Sequence, residues 1–380
     1  MNSEPKKNYV EYIDVLRVFS MLAVVFLHTA AGSLRGNLGS STWHISNTIT
    51  AIFSTSVPIF FMISGAMLMR SKKTTSLQIT YTQRLPKLVI PFVLWSIIAI
   101  LYFGPKPLQI TSIIKSILYM PNQATTVHLW FMYAIIPLYI LSPILKKMVD
   151  SLSSDLVKYM LILWFVTNSL LPTIAGFVPD KLKPIFTLYA DFDMYFLGGY
   201  LGYFLLGYYL MTYEKKVSKK LLLFIIVIDT LIITLGTWYK TVSIGEYSEV
   251  FKMYVRVFEV ILSGAIFLLA KEWFRNHSLK TYMSRFVQIL SPLSFGVYLM
   301  HNLVVAYVVN KLHLWPAQST FMLMVGFGIS ALITIAVIII FASFKVTCYP
   351  LTGMNFKEAC RTCNIQFLWR TLFKRSNDEK

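Results

Sequence analysis

The chain has 380 residues, 56% hydrophobic and only 14% charged, with a mean hydropathy of +0.62 and a formal net charge of +18. That balance excludes an ordinary soluble domain of this length and reads as a polytopic membrane protein. The positive charge sits in short clusters between apolar runs, as the positive-inside rule expects, which leaves nucleic-acid binding without support.

The first long apolar run, VLRVFSMLAVVFLHTA, follows Lys6 and Lys7 and has the outline of a signal peptide. It carries Arg17 and His28 and is followed by several runs of equal length, so it reads as a retained first helix. Apolar stretches of about 20 residues predict ten helices, near 13–34, 47–69, 86–104, 127–145, 157–176, 185–211, 221–239, 250–270, 286–309 and 319–344. With the N-terminus inside, the inner segments receive Arg70, Lys72, Lys73, Arg84, Lys87, Lys146, Lys147, Lys215, Lys216, Lys219, Lys220 and the basic tail. The outer segments receive fewer, among them Arg35, Lys106, Lys181, Lys240, Lys252 and Lys311. The expected fold is therefore an all-α helical bundle of about ten transmembrane helices, N-in and C-in.

No room is left for a soluble domain, so residues 1–345 are expected to form one membrane domain. Residues 346–380 are expected to be a basic cytoplasmic tail lying along the inner surface, since aromatics alternate there with Lys and Arg at helical spacing. Cys348, Cys360 and Cys363 all fall in this tail. Cys360 and Cys363 form a CxxC with no second ligand pair nearby, so reduced thiols rather than a metal site are expected.

Arg17 and His28 are the most informative pair. Eleven helical steps return to within roughly 20° of the starting direction, so both share one face, about 16 Å apart along the axis. Ionisable groups inside a membrane helix are costly and mark function. The predicted orientation puts Asp14 and Arg17 near the inner surface and His28 in the outer half. His301, in the ninth helix, reaches a depth close to that of His28, and His128 opens the fourth helix at the outer side. A lone helical histidine is usually a structural hydrogen-bonder, but three at matched depth in a membrane favour function.

The inner half holds a different set. Arg17 is joined by Arg84, in QRLPKLVIP, and by Ser64 and Gly65, in VPIFFMISGAML. Guanidinium groups grip phosphates and small residues permit close approach, so a phosphate-bearing ligand entering from the cytoplasm fits. The structural alternatives are an Arg84 that snorkels to headgroups and an SG pair that packs two helices. Arg256 and Glu259 stand at i,i+3 and are expected to pair, Asp191 and Asp193 are candidate contacts for a sugar-like acceptor, and Asp229 has no obvious partner. No Walker loop, GxSxG elbow, HExxH or Rossmann glycine pattern is present.

The stretches DVLRVFSMLAVVFLH, SVPIFFMISG, HLWFMYAIIPLYILSPIL and SFGVYLMH, in that order over nearly the whole chain, resemble the membrane-bound acyltransferase-3 family. The likeness is greatest to its members that O-acetylate the enterobacterial common antigen and exopolysaccharides. The resemblance implies that Arg17 and His28 are essential, that Ser64 and Gly65 belong to a donor pathway, and that Arg84, His128 and His301 line the site. It implies a multi-pass protein of the bacterial plasma membrane that moves an acyl group, acetyl by preference, from cytoplasmic acyl-CoA to a hydroxyl of a cell-surface or lipid-linked glycan, without a metal. His28 would serve as general base or as transient acyl carrier. A second reading, an exporter of a polysaccharide or lipid-linked unit, uses the same polar residues as a path, although no paired halves with interrupted helices are apparent. A third, a sensor or assembly factor, explains the intramembrane Arg and His least well. Acyl identity, acceptor and oligomeric state are not legible in the sequence.

Overall fold

The computed structural model describes residues 10–36, 38–104, 109–188, 198–213, 216–313 and 319–373, all helices, turns and loops with no strand among them. In chain order the helices are α1 (Glu11–Gly36), α2 (Ser41–Phe53), α3 (Ser56–Arg70), α4 (Leu77–Ile79), α5 (Leu85–Phe103) and α6 (Ile110–Tyr119). Then come α7 (Trp130–Ser151), α8 (Ser154–Trp164), α9 (Leu171–Phe177), α10 (Leu201–Thr212), α11 (Lys219–Ile244) and α12 (Val257–Phe274). The C-terminal part comprises α13 (Thr281–Lys311), α14 (Thr320–Ser343), α15 (Lys345–Thr352), α16 (Phe356–Thr362) and α17 (Ile365–Phe373).

Among the described residues, eight segments are long and apolar enough to cross a membrane: Glu11–Gly36, Ser41–Arg70, Leu77–Phe103, Val127–Ser151, Ser154–Phe177, Lys219–Ile244, Thr281–Lys311 and Thr320–Ser343. They correspond to eight of the ten predicted spans. The sixth, predicted over 185–211, shows a 3₁₀ stretch at Asp180–Phe186 and the short α10, with 189–197 outside the described residues. The eighth begins at Val257 rather than 250 and carries Glu259, Lys271 and Glu272, which lower its apolar content.

Local chemistry sets the breaks. Ser40, Ser76, Ser153 and Ser319 each accept a backbone N–H from the first turn of α2, α4, α8 and α14. The second predicted span is interrupted at Ser54 and Thr55, where α2 hands over to α3. A π-helical stretch, Thr80–Arg84, joins α4 to α5, and another, Phe165–Leu170, joins α8 to α9.

Packing is that of a membrane bundle. α11 exposes Phe224 and Leu235 while burying Asp229, Thr237 and Thr241, so its polar stripe faces protein and its apolar surface faces outward. The main core runs through α1, α3, α7, α10 and α13, with Val25, Phe61, Met62, Phe204, Leu293 and Leu299 buried. α3 and α10 cross at backbone contact: a Cβ on Gly65 would lie 1.8 Å from the Phe204 carbonyl oxygen, and one on Gly207 would lie 2.0 Å from that of Met62. The C-terminal helices join this core. Cys348, Thr352, Ala359 and Cys363 are buried, the Trp95 indole N–H donates to the Leu351 carbonyl at 2.9 Å, and Lys87 pairs with Glu358 at 3.8 Å.

Two ends of the bundle can be told apart by their contacts. At the proximal end, near the start of α1, Glu11 accepts the Leu279 N–H and Asp14 accepts the Ser291 hydroxyl. At the distal end, near the finish of α1, the Trp43 indole donates to the Leu34 carbonyl and Arg35 pairs with Glu249 at 3.1 Å.

Candidate active site

Three imidazoles meet inside the bundle. His28 comes from α1, His128 from the 3₁₀ turn Val127–Leu129 that leads into α7, and His301 from α13. Ring centroids are 5.0 Å apart for His28 and His301, 4.8 Å for His128 and His301, and 6.0 Å for His28 and His128. His301 is the common neighbour and is completely buried, while His28 borders a cavity.

Hydrogen bonds define the tautomers of the neutral rings. His128 Nε2 lies 3.2 Å from the Leu299 carbonyl and so donates, leaving Nδ1 to accept the Thr126 hydroxyl at 3.1 Å. His301 Nδ1 donates to the Tyr298 carbonyl at 2.6 Å, which leaves a lone pair on Nε2, a buried atom with no partner. Tyr298 in turn donates its hydroxyl to the His128 carbonyl. One tyrosine therefore fixes both His128 and His301, through different atoms.

The distal cavity, about 860 Å³, opens beside His28 and His128. Trp130 stacks on Tyr254, with centroids 5.4 Å apart, and lies 5.2 Å from Tyr200, forming an aromatic wall. Asn302, Asn310, Glu249 and Lys252 add polar groups. The Lys252 ammonium is buried against the Asn47 side-chain oxygen at 2.7 Å and the Thr50 hydroxyl at 2.8 Å, tying α2 to the turn before α12.

The proximal cavity, about 400 Å³, is bordered by Arg17 and Arg84 together with Ser64, Ser71 and Tyr139. Asp14 holds Arg17 at 3.2 Å, and Arg84 donates to the Thr74 hydroxyl at 2.7 Å and the Ser71 hydroxyl at 3.2 Å. Arg17 and His28 thus share one unbroken helix, about 16 Å apart along its axis, and open into different cavities.

Other predicted residues fall elsewhere. Gly65 borders neither cavity: it sits at the α3–α10 crossing, where the Phe204 backbone leaves no room for a side chain, so helix packing accounts for it. Arg256 and Glu259 do not pair. Arg256 precedes α12 and donates to the Pro172 carbonyl, while Glu259 accepts the Ser54 hydroxyl at 2.5 Å. The i,i+3 rule fails there because Arg256 lies outside the helix. Asp229 is buried with Oδ2 unpartnered, and Asp191 and Asp193 lie outside the described residues.

Sequence reasoning passed over Tyr298, Phe131, Lys252 and the aromatic wall. Tyr298 was within reach, since it precedes His301 by three residues on the same helix face. Lys252 was indistinguishable from a loop cation until its contacts with α2 were seen.

A helical membrane bundle that buries imidazoles between an arginine-flanked cavity and an aromatic one has the layout of a group transferase embedded in the bilayer. A family model described as an acyltransferase domain matches residues 10–343, from the base of α1 to the end of α14. The chain belongs to this family, acyltransferase 3, and is a multi-pass membrane acyltransferase. No curated protein and no solved structure matches it.

Proposed function

We propose that the protein is an O-acyltransferase of the bacterial plasma membrane. In this reading the proximal end faces the cytoplasm, in keeping with the basic loops there, and receives acyl-CoA. The distal cavity receives a hydroxyl of a cell-surface or lipid-linked glycan, for which an aromatic wall with polar groups around it is a suitable surface. The observation that carries the reading is the position of His28, between arginines suited to a phosphate-bearing donor on one side and the aromatic cavity on the other.

Chemistry follows from the neutral imidazoles. The acceptor hydroxyl oxygen attacks the thioester carbon as His28 takes its proton; the C–S bond then breaks and the proton passes to sulfur, giving the ester and free CoA. His128 and His301 hold the acceptor or the developing oxyanion. Acetyl is the acyl group favoured by the sequence resemblance. The donor sites are Arg17, Arg84 and Ser64.

Proteoliposomes containing the full chain, acetyl-CoA and lipid-linked glycan extracted from the host membrane test this. Wild type should release free CoA and add one acetyl group per modified sugar by mass spectrometry. Full transfer by His28→Ala would overturn the role of His28. Glycan movement without CoA release would favour an exporter.

A further inference from the structure

Only Phe131 and Tyr298, among the described residues, border both cavities. Their rings meet edge to face, with centroids 5.2 Å apart and planes at 66°, so they touch and close the shortest way from one cavity to the other. Neither ring is free to move far. Phe131 is held against Phe61 at 4.7 Å, and Tyr298 is anchored by its hydroxyl to the His128 carbonyl and by its own carbonyl to His301.

We propose that Phe131 and Tyr298 form the partition of the acyl path and are its specificity-determining residues, admitting a two-carbon acyl group to His28 and excluding longer ones. This rests on the reading that donor and acceptor occupy opposite cavities. The nucleotide end of the donor stays with Arg17 and Arg84, while the thioester alone must reach the imidazoles. A path closed by two touching rings opens only as far as small rotations allow. Each extra methylene then needs space already filled by Phe131 or Tyr298. Tyr298 has a second duty, holding His128 and His301, so Phe131 is the position where bulk can be removed without disturbing the imidazoles.

The test compares acetyl-CoA, butyryl-CoA and hexanoyl-CoA as donors to extracted lipid-linked glycan, with reconstituted full-length wild type and Phe131→Ala. Wild type should prefer acetyl, and Phe131→Ala should raise the butyryl-to-acetyl ratio of kcat/KM by at least about tenfold, the scale set by methylene discrimination in a pocket. A smaller change, in protein that is monodisperse in detergent, overturns the partition, as does a wild type that uses all three donors equally. Phe131→Leu is the second variant, expected to shift the ratio in the same direction by less. Failure of both variants to fold would make Phe131 a packing residue and overturn the proposal. A wild type that transfers no acyl group at all would instead remove the reading on which the proposal stands.

Discussion

The His301 imidazole lies 5.0 Å from that of His28, centroid to centroid, with its Nδ1 committed to the Tyr298 carbonyl and its Nε2 left without a partner. A buried nitrogen lone pair is costly unless something uses it. Bound substrate is the natural donor. His301→Ala should therefore lower kcat by about 100-fold, the lower range for loss of an acid–base group, with little change in thermal stability. Free-CoA release under saturating acetyl-CoA measures it; an unchanged kcat would return His301 to a structural role.

Tyr298→Phe separates ring from hydroxyl. The phenyl ring keeps the partition with Phe131, while the bond to the His128 carbonyl is lost. The expected outcome is a fall in kcat of about fivefold to tenfold, corresponding to a hydrogen bond of ~1 kcal/mol, at unchanged KM for acyl-CoA. Steady-state kinetics in proteoliposomes provide the check.

Gly65 can be tested against its two readings. A methyl group there would meet the Phe204 carbonyl at 1.8 Å, whereas one on Gly264 would meet nothing within 4 Å. Gly65→Ala should destabilise by about 1–3 kcal/mol or more, the usual cost of overpacking, seen as a lower Tm in detergent, and Gly264→Ala should not. A stable Gly65→Ala with a raised KM for acyl-CoA would reinstate the donor pathway.

Arg17→Lys keeps the charge but removes the planar fork. KM for acyl-CoA should rise by about tenfold while KM for the glycan stays constant. Equal changes in both would argue against a donor site in the proximal cavity.

The thiols give a prediction outside the membrane helices. Burial pushes the Cys363 thiol up to about 11 and raises that of Cys348, whereas Cys360 is only partly buried. Burial disfavours the thiolate, which is the reactive form, so reactivity appears only as pH climbs toward the raised value. N-ethylmaleimide at pH 7 should add one label, at Cys360, with further labelling of folded protein only at markedly higher pH. Intact mass and peptide mapping read this directly.

Much of the architecture was legible because a bilayer imposes length: most of the apolar runs became helices within a few residues of their expected limits. The histidine cluster was legible for the same reason, since constant rise per residue converts sequence position into depth. Lateral information was not. Nothing in a single helix says that Glu259 would turn to Ser54 rather than Arg256, or that Lys252 would bury itself against Asn47 and Thr50, because these contacts join segments some 200 positions apart in the chain. Gly65 failed for a related reason: a small residue reads alike whether a ligand or the Phe204 backbone fills the space beside it.

The π-helical stretch at Thr80–Arg84 bears on how this protein tolerates change. Such a stretch is an α-helix with one surplus residue absorbed into its winding. Deleting a single residue between Thr80 and Gln83 would restore regular winding and swing Arg84 by about 100° relative to the chain before it, away from Thr74 and Ser71, which now hold it at the proximal cavity. The arginine's aim is thus stored in the number of residues ahead of it, so that a change in chain length, with Arg84 itself intact, would be enough to lose it.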